Sequence, residues 1–376
     1  MNASLGFLWD AFLYALREVG SMSVIEQYNL TLQIEVLKEQ SAEILARLCK
    51  LVGDSETSKC IDLLKAFSHI VNTELYMVTS VDELESLKSE MTGIENRIKA
   101  FLRTDAHTAE VVKSLTPCSD LQDIESYSSE DFDKALERTI DLLIFNKNIS
   151  STPHAVILGG ESGAGKTTIH RVKMMEYKGD YIVIDGDTYR AQHPHFRELQ
   201  EKYGVDSVDY TKAFAGKMVE AVIDKLSSLK YNLIIEGTLR SAAVPIYTAT
   251  LLKSKGYTVD FCLIATKPEL SYLTTQLLYL EMMIVDPLQA RATPKDHHDD
   301  IVKSLVSNSN ELEQSGLFES IQVYKRDLEQ VYNSKLCTDS FGAVVNQILF
   351  GAWTQDEVAL LEVSKSQEQA LRAKLH

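Results

Sequence analysis

The chain has 376 residues, of which 45% are apolar and 24% charged, a composition that excludes disorder as the default. Its net charge of −16 argues against nucleic acid as a partner, because phosphate neutralisation needs clustered Lys and Arg. Five scattered cysteines (Cys49, Cys60, Cys118, Cys262 and Cys337) with no C-x-x-C pair argue against a disulfide framework and for reduced thiols in a cytoplasmic protein.

The N-terminal stretch Leu5–Trp9 lacks the basic region of a signal peptide, and Asp10, Arg17 and Glu18 interrupt its apolar run. No stretch is long and apolar enough to suggest a membrane span, so no membrane partner is expected. Residues 1–20 read as a short amphipathic helix. A second helix is predicted from Ser23 to about Val52, with Ile25, Leu32, Val36, Leu37, Ile44, Leu45 and Leu48 at helical spacing. Gly53-Asp54-Ser55 breaks it, and helices over Lys59–Thr79 and Val81–Leu102 follow. With no strand alternation before Thr116, this front is expected to be a small antiparallel helical bundle. Its charges describe either a solvated surface, the ordinary reading, or an acidic face shaped to sit on a basic site.

Ser114–Asp120, with Pro117, is the expected linker. A helix capped by Ser128 or Ser129 then leads to about Phe145 and into the apolar strand Ala155–Leu158. Directly after it comes Gly160-Glu161-Ser162-Gly163-Ala164-Gly165-Lys166-Thr167, the pattern G-x-x-x-x-G-K-[ST], with Thr168 next. Glycines are needed there because backbone N–H groups must wrap a phosphate with no Cβ in the way. Lys166 is placed to reach the β/γ-phosphates, Thr167 to offer its hydroxyl to Mg²⁺, and the helix N-terminus adds positive potential.

Strands over Tyr181–Ile184, Leu233–Ile235, Phe261–Ala265 and Ile321–Tyr324, the last of them, alternate with helices, among them Tyr210–Leu229. The fold class expected is α/β, a P-loop kinase-like parallel sheet with helices on both faces, preceded by a small all-α bundle. The domains are expected at 1–116 and 125–376, with 117–124 as linker. Polar clusters fall just after strands, where open α/β sheets bind ligands. Phosphoryl transfer to a hydroxyl needs a carboxylate near the acceptor and cations around the phosphates. Asp187 is the candidate base, and Asp185 is its rival or a Mg²⁺ holder through water. Glu236, Thr238 and Arg240 are candidates for hydrogen-bonding an acceptor sugar or phosphate, and Arg291 for a cation reaching the phosphates. The run Ala292–Asp300 reads as a helix cap rather than a metal site, because its His spacing matches no zinc pattern.

Gly160–Arg171, Asp185-Gly186-Asp187 with Gln192–His195, Phe214–Glu220, Ile235–Arg240, Lys267–Tyr272 and Gln289–Pro294, in that order, closely resemble the zeta toxins. The resemblance runs from about Ile124 to the C-terminus. It implies an ATP-dependent kinase of the 3′-hydroxyl of UDP-N-acetylglucosamine, a poison of cell-wall synthesis. Carried over by position, Lys166 and Thr167 bind phosphate and Mg²⁺, Asp187 is the base, Arg291 contacts the transferring phosphoryl, and Glu220, Glu236, Thr238 and Arg240 line the sugar-nucleotide pocket. Val24–Gln40 and the Gly93–Glu95 region resemble the C-terminal half of that family's cognate antitoxin, without its DNA-binding helix-turn-helix. The implied arrangement is a toxin–antitoxin fusion whose N-terminal domain covers the nucleotide site at high effective concentration. One position departs from the pattern. Related toxins carry Arg in an Arg-Tyr-Glu-Glu run where this chain has Leu278-Tyr279-Leu280-Glu281. That departure motivates a second reading, a fusion that binds nucleotide or UDP-sugar and turns over poorly. A third is a P-loop kinase of another small metabolite, with the helical front as an oligomerisation module.

Overall fold

In the computed structural model, residues 23–52, 58–104, 124–327 and 329–375 are described. The expected N-terminal helix at 1–20, the Gly53–Ser55 break, Cys118 and nearly all of the expected linker lie outside them. Among the described residues the front is built from three main helices. α1 (Val24–Val52) and α3 (Val81–Thr104) flank α2 (Ser58–His69), which continues through a π-helical turn at Ile70–Glu74 and a helical turn at Leu75–Met77. Leu30, Ile34, Leu45, Leu48, Phe67, Leu75, Leu84 and Ile98 are buried together, with Leu37 and Ile44 against them, whereas Leu32 and Ile25, expected on the same face, pack on the body instead.

α4 (Ser129–Leu143) begins with the capping box that its sequence advertises: the Ser128 hydroxyl accepts from Asp131 N, and the Asp131 carboxylate accepts from Ser128 N. The body then alternates β1 (His154–Gly159), α5 (Lys166–Glu176), β2 (Ile182–Ile184), a short α6 (Gly186–Tyr189), α7 (Phe196–Tyr203), α8 (Ser207–Ser228), β3 (Leu233–Ile235), α9 (Ala243–Ser254) and β4 (Thr258–Ile264). α10 (Pro268–Val285), α11 (Lys295–Ser315), β5 (Ile321–Tyr324), β6 (Gln330–Asn333), α12 (Phe341–Phe350) and α13 (Gln355–Leu375) complete it.

The sheet order is β2-β3-β1-β4-β5-β6. β2, β3, β1, β4 and β5 are mutually parallel and β6 runs antiparallel to β5, so the sheet is mixed and β5 is not the last strand. β6 escapes a sequence search for buried strands because its Gln330-Val331-Tyr332-Asn333 is an edge with polar ends and a single buried side chain. α7, α12 and α13 also went unanticipated.

On one face of the sheet Ile157, Ile235 and Phe261 pack against Phe214 and Met218 of α8 and Leu252 of α9. On the other, Val156, Leu158, Val183 and Ile234 pack against Ile169 and Met174 of α5 and against Tyr76, a residue of the front. Tyr28 and Leu32 of α1 likewise join Leu270 and Leu277 of α10 and Leu360 and Leu361 of α13 in one apolar cluster. The helical front therefore does not merely touch the body, because the two parts share apolar cores. Each large side chain so buried contributes roughly 1.5–3 kcal/mol.

Candidate active site

At the end of β1 the chain takes positive φ at Gly160 (146°), Gly163 (74°) and Gly165 (100°). A Cβ at Gly163 would lie 2.1 Å from the Ser271 carbonyl oxygen, and one at Gly160 would lie 2.5 Å from that of Ile264. Glycine is thus required twice over, by conformation and by space. The loop delivers Lys166, Thr167 and Thr168 into the first turn of α5, a helix N-terminus suited to an anion. Lys166 Nζ folds back to the Gly160 and Glu161 carbonyls, both at 3.5 Å, and to Glu236 Oε1 at 3.6 Å. Glu161 turns inward: one carboxylate oxygen accepts from Thr266 N at 3.3 Å and the other has no partner. Burial pushes its carboxyl up to about 7.

Lys166, Asp185, Asp187, Glu236 and Arg291, from four different connections, face one cavity of about 270 Å³ that Ser162 and Gly163 also line. Asp187 pairs with Arg190 Nε at 2.8 Å and Arg291 Nη1 at 3.2 Å. The crowded cavity works against its ionisation even though 53% of its side chain is exposed, and Arg291 and Arg190 outweigh that and hold the carboxyl well below the usual range. Glu236 is shifted the other way, to about 7, by burial and by Asp185, against Lys166 and Lys38. Two carboxyls of one cavity are thereby set far apart in acidity, the arrangement that acid–base chemistry exploits.

α1 of the front lies across this cavity. Lys38 Nζ donates to Asp185 Oδ2 at 2.6 Å, and both side chains are buried. Burial opposes the ammonium, but Asp185, Tyr76, Glu236 and Glu39 raise its pKa well above the usual lysine value. The next residue of α1, Glu39, pairs with Arg291. Tyr28 covers the guanidinium of Arg326, whose carbon is 5.1 Å from the ring centroid. Further from the cavity, Arg171 donates to Thr31 Oγ1 at 3.0 Å and to the Val78 carbonyl at 2.7 Å, while Lys50 reaches the His193 and Pro194 carbonyls at 3.1 and 3.0 Å.

A second cavity, of about 510 Å³, opens beside the loop after β3 and is lined by Glu236, Thr238, Arg240, Ser241 and Thr248 over the apolar floor of Ile157, Ile235 and Phe261. Glu236 lies between the two cavities. Glu220, by contrast, is exposed on α8 and lines neither. Asp185 does more than the sequence implies: its Oδ1 caps α6 by accepting from Asp187 N at 3.0 Å. Its other oxygen is a hard donor of the kind a small cation takes, and the Lys38 ammonium is the positive charge that stands at Asp185. His298 is buried against Ser271 Oγ at 2.9 Å, and α11 starts directly after Pro294 with no side-chain cap bond. Leu278 lines the first cavity.

Sequence reasoning missed Arg326, just after β5, whose Nη1 donates to Thr274 Oγ1 at 2.8 Å and whose Nη2 donates to the Gly163 carbonyl. It also missed Thr248, because a lone Thr in the middle of a helix carries no signal.

No helix among the described residues is long and apolar enough to cross a membrane. The zeta toxin family model matches residues 141–336, and the bacterial epsilon antitoxin model matches residues 26–101. Toxin PezT of Streptococcus pneumoniae serotype 4 is 54% identical over 252 residues, which is 67% of this chain and 100% of that toxin. Antitoxin PezA of the same organism is 31% identical over 84 residues, 21% of this chain and 53% of the antitoxin, so only about half of that protein's length is matched. A solved structure of the PezAT chromosomal toxin–antitoxin system of S. pneumoniae superposes with a TM-score of 0.63 at 52% identity, covering 66% of this chain and 99% of the other. With its phosphate loop, mixed sheet and paired carboxylates in the matched region, and an antitoxin-like region fused ahead of them, the chain belongs to the zeta toxin family.

Proposed function

We propose that residues 125–376 form an ATP-dependent kinase of the 3′-hydroxyl of UDP-N-acetylglucosamine, and that the antitoxin-like residues 1–116 block its nucleotide site. The observation that carries the reading is the pair of contacts from α1 into the cavity, Lys38 on Asp185 and Glu39 on Arg291, beside the phosphate-binding Lys166. Both are complementary charges placed on groups that transfer would use.

When α1 is displaced, Lys166 is free to hold the donor phosphates together with the amides of Gly160–Thr168, and Arg291 to neutralise charge on the transferring group. Asp187 accepts the acceptor hydroxyl's proton. Its depressed pKa keeps it ionised for that role, and the release of Arg291 from Glu39 redistributes charge around it. Glu236, Thr238 and Arg240 hold the sugar nucleotide in the second cavity, with Thr248 added by the structure; Glu220 would have to reach the acceptor from outside that cavity. Thr167 and Asp185 would hold Mg²⁺, which would supply positive charge to offset that of the donor phosphates. The reading places the protein in the cytoplasm, where both nucleotides are made.

The test uses the full chain with Lys38→Glu and Glu39→Lys, which turn two attractive contacts into repulsive ones. ATP-dependent phosphorylation of UDP-N-acetylglucosamine should rise in that variant and stay low in the parent. No phosphorylation in either, with both folded, would sink the enzymatic half of the proposal.

Leu278 supports a second reading, because an aliphatic side chain stands in the cavity wall where related toxins carry Arg. Under it the site holds ligand and transfers slowly. Leu278→Arg in the opened chain would then raise turnover by on the order of 10³-fold, whereas an unchanged rate returns the balance to the first reading.

A further inference from the structure

The strand order divides the ligands of the phosphate loop. β3 and β2, which carry Glu236, Asp185 and Asp187, lie on one side of β1, and β4 and β5 lie on the other. A triphosphate held by the loop between them must turn its transferring end toward Asp187 and extend its nucleoside toward β5. At that end of the sheet sits Arg326. Its Nη1 is fixed by Thr274 at 2.8 Å and its Nη2 by the Gly163 carbonyl, while Nε is shielded from solvent with no partner. The guanidinium plane therefore cannot turn, and Nε is 3.7 Å from where a Cβ on Gly165 would stand. One face of it is covered by the Tyr28 ring, and the Tyr28 hydroxyl lies 3.3 Å from Thr274 Oγ1. What remains between Tyr28, Arg326, Gly165 and Thr168 is a gap of only about 10 Å³.

We propose that Arg326 is the platform on which the donor's nucleobase stacks, with Thr274 facing the base edge, and that the Tyr28 ring occupies the base's place in the intact chain. A planar guanidinium held by two hydrogen bonds is built to receive an aromatic plane, and a ring with a polar edge is what Tyr28 supplies. Among the described residues the acceptor side offers a different surface: the second cavity is floored by Ile157, Ile235 and Phe261, and its cation, Arg240, is exposed. The proposal rests on the reading that the phosphate loop holds a nucleoside triphosphate, and it adds the residue that holds the nucleoside.

The experiment takes the full-length chain with Tyr28→Ala, which vacates the platform, and titrates it with adenosine and, separately, with inorganic tripolyphosphate, by calorimetry and thermal melting. Adenosine should bind the Tyr28→Ala chain and not the parent. Adding Arg326→Ala should weaken adenosine by about ten-fold or more and change tripolyphosphate by less than about two-fold. Arg326→Lys keeps a cation but not the plane, so it should weaken adenosine nearly as much; it serves as the test if the Ala variant fails to fold.

Absence of adenosine binding to the Tyr28→Ala chain overturns the proposal, as does equal adenosine binding with and without Arg326. A loss confined to tripolyphosphate also overturns it, since Arg326 would then serve the phosphates. Failure of the kinase reading is separable: adenosine would still bind while the opened Lys38→Glu/Glu39→Lys chain leaves UDP-N-acetylglucosamine unphosphorylated.

Discussion

Around Gly165 and Thr168 the space left between α1 and the phosphate loop is about 10 Å³, too little for more than one water molecule, whereas the cavity beside Thr238 and Arg240 measures about 510 Å³. The first region is lined in part by Tyr28, Thr31, Leu32 and Glu35 of the front, and the second by residues of the body alone. The antitoxin-like helix thus presses on the phosphate-loop half of the site and leaves the half beyond Glu236 to the body. The means differ as well. On the loop side, opposite charges and an aromatic ring are set on fixed partners. On the other side, a polar rim overlies an apolar floor. One helix can do this because residues 28, 35, 38 and 39 fall on one face along its length.

The comparison breaks most sharply at Asp187, which both halves would need. Asp187→Asn in the opened chain should lower turnover by about 10²–10⁴-fold, measured as phosphate transferred to UDP-N-acetylglucosamine, with ATP affinity retained. Opening the helix by Lys38→Glu/Glu39→Lys should raise ATP affinity of the full chain by about 10²-fold or more, because one buried and one half-buried pair each become a repulsion. Calorimetry with ATP should show that gain while binding of UDP-N-acetylglucosamine changes little. The converse substitution, Arg240→Ala in the opened chain, should weaken the sugar nucleotide by roughly ten-fold and leave ATP alone. If instead it weakens both, the two halves are not separate.

The smallest effect concerns stability. The Glu161 carboxyl is raised by burial to about 7 in the folded chain, above its unfolded value of 4.5. Stabilisation from the protonated form is therefore complete below the unfolded value and is lost as pH rises through about 7. Glu161→Gln should remove that loss, so its stability advantage over the parent grows by about 1–3 kcal/mol between pH 5 and pH 8, read from denaturant melts.

Much of the body was legible in the sequence because its signals are local. Leu233–Ile235 and Ile321–Tyr324 were recognisable as strands with their observed limits because buried parallel strands are short, continuous apolar runs. The phosphate loop was legible because only glycine tolerates its dihedrals and contacts. β6 was not, since an edge strand carries half the apolar signal. The capping role of Asp185 was hidden for a different reason: Asp-Gly-Asp suits a loose turn as well as a helix start.

The sequence by itself determined the P-loop, the alternation of strands and helices, the Asp and Glu positions at strand ends, and the two family resemblances. These follow from residue type and spacing along one chain. Only the tertiary structure decided that Lys38 meets Asp185 across 147 positions, that Glu39 meets Arg291 across 252, and that Arg326 lies beneath Tyr28. Such pairings depend on how the front docks. Docking is set by apolar surfaces such as those around Tyr76 and Leu32, whose partners lie on other elements and leave no period in the sequence.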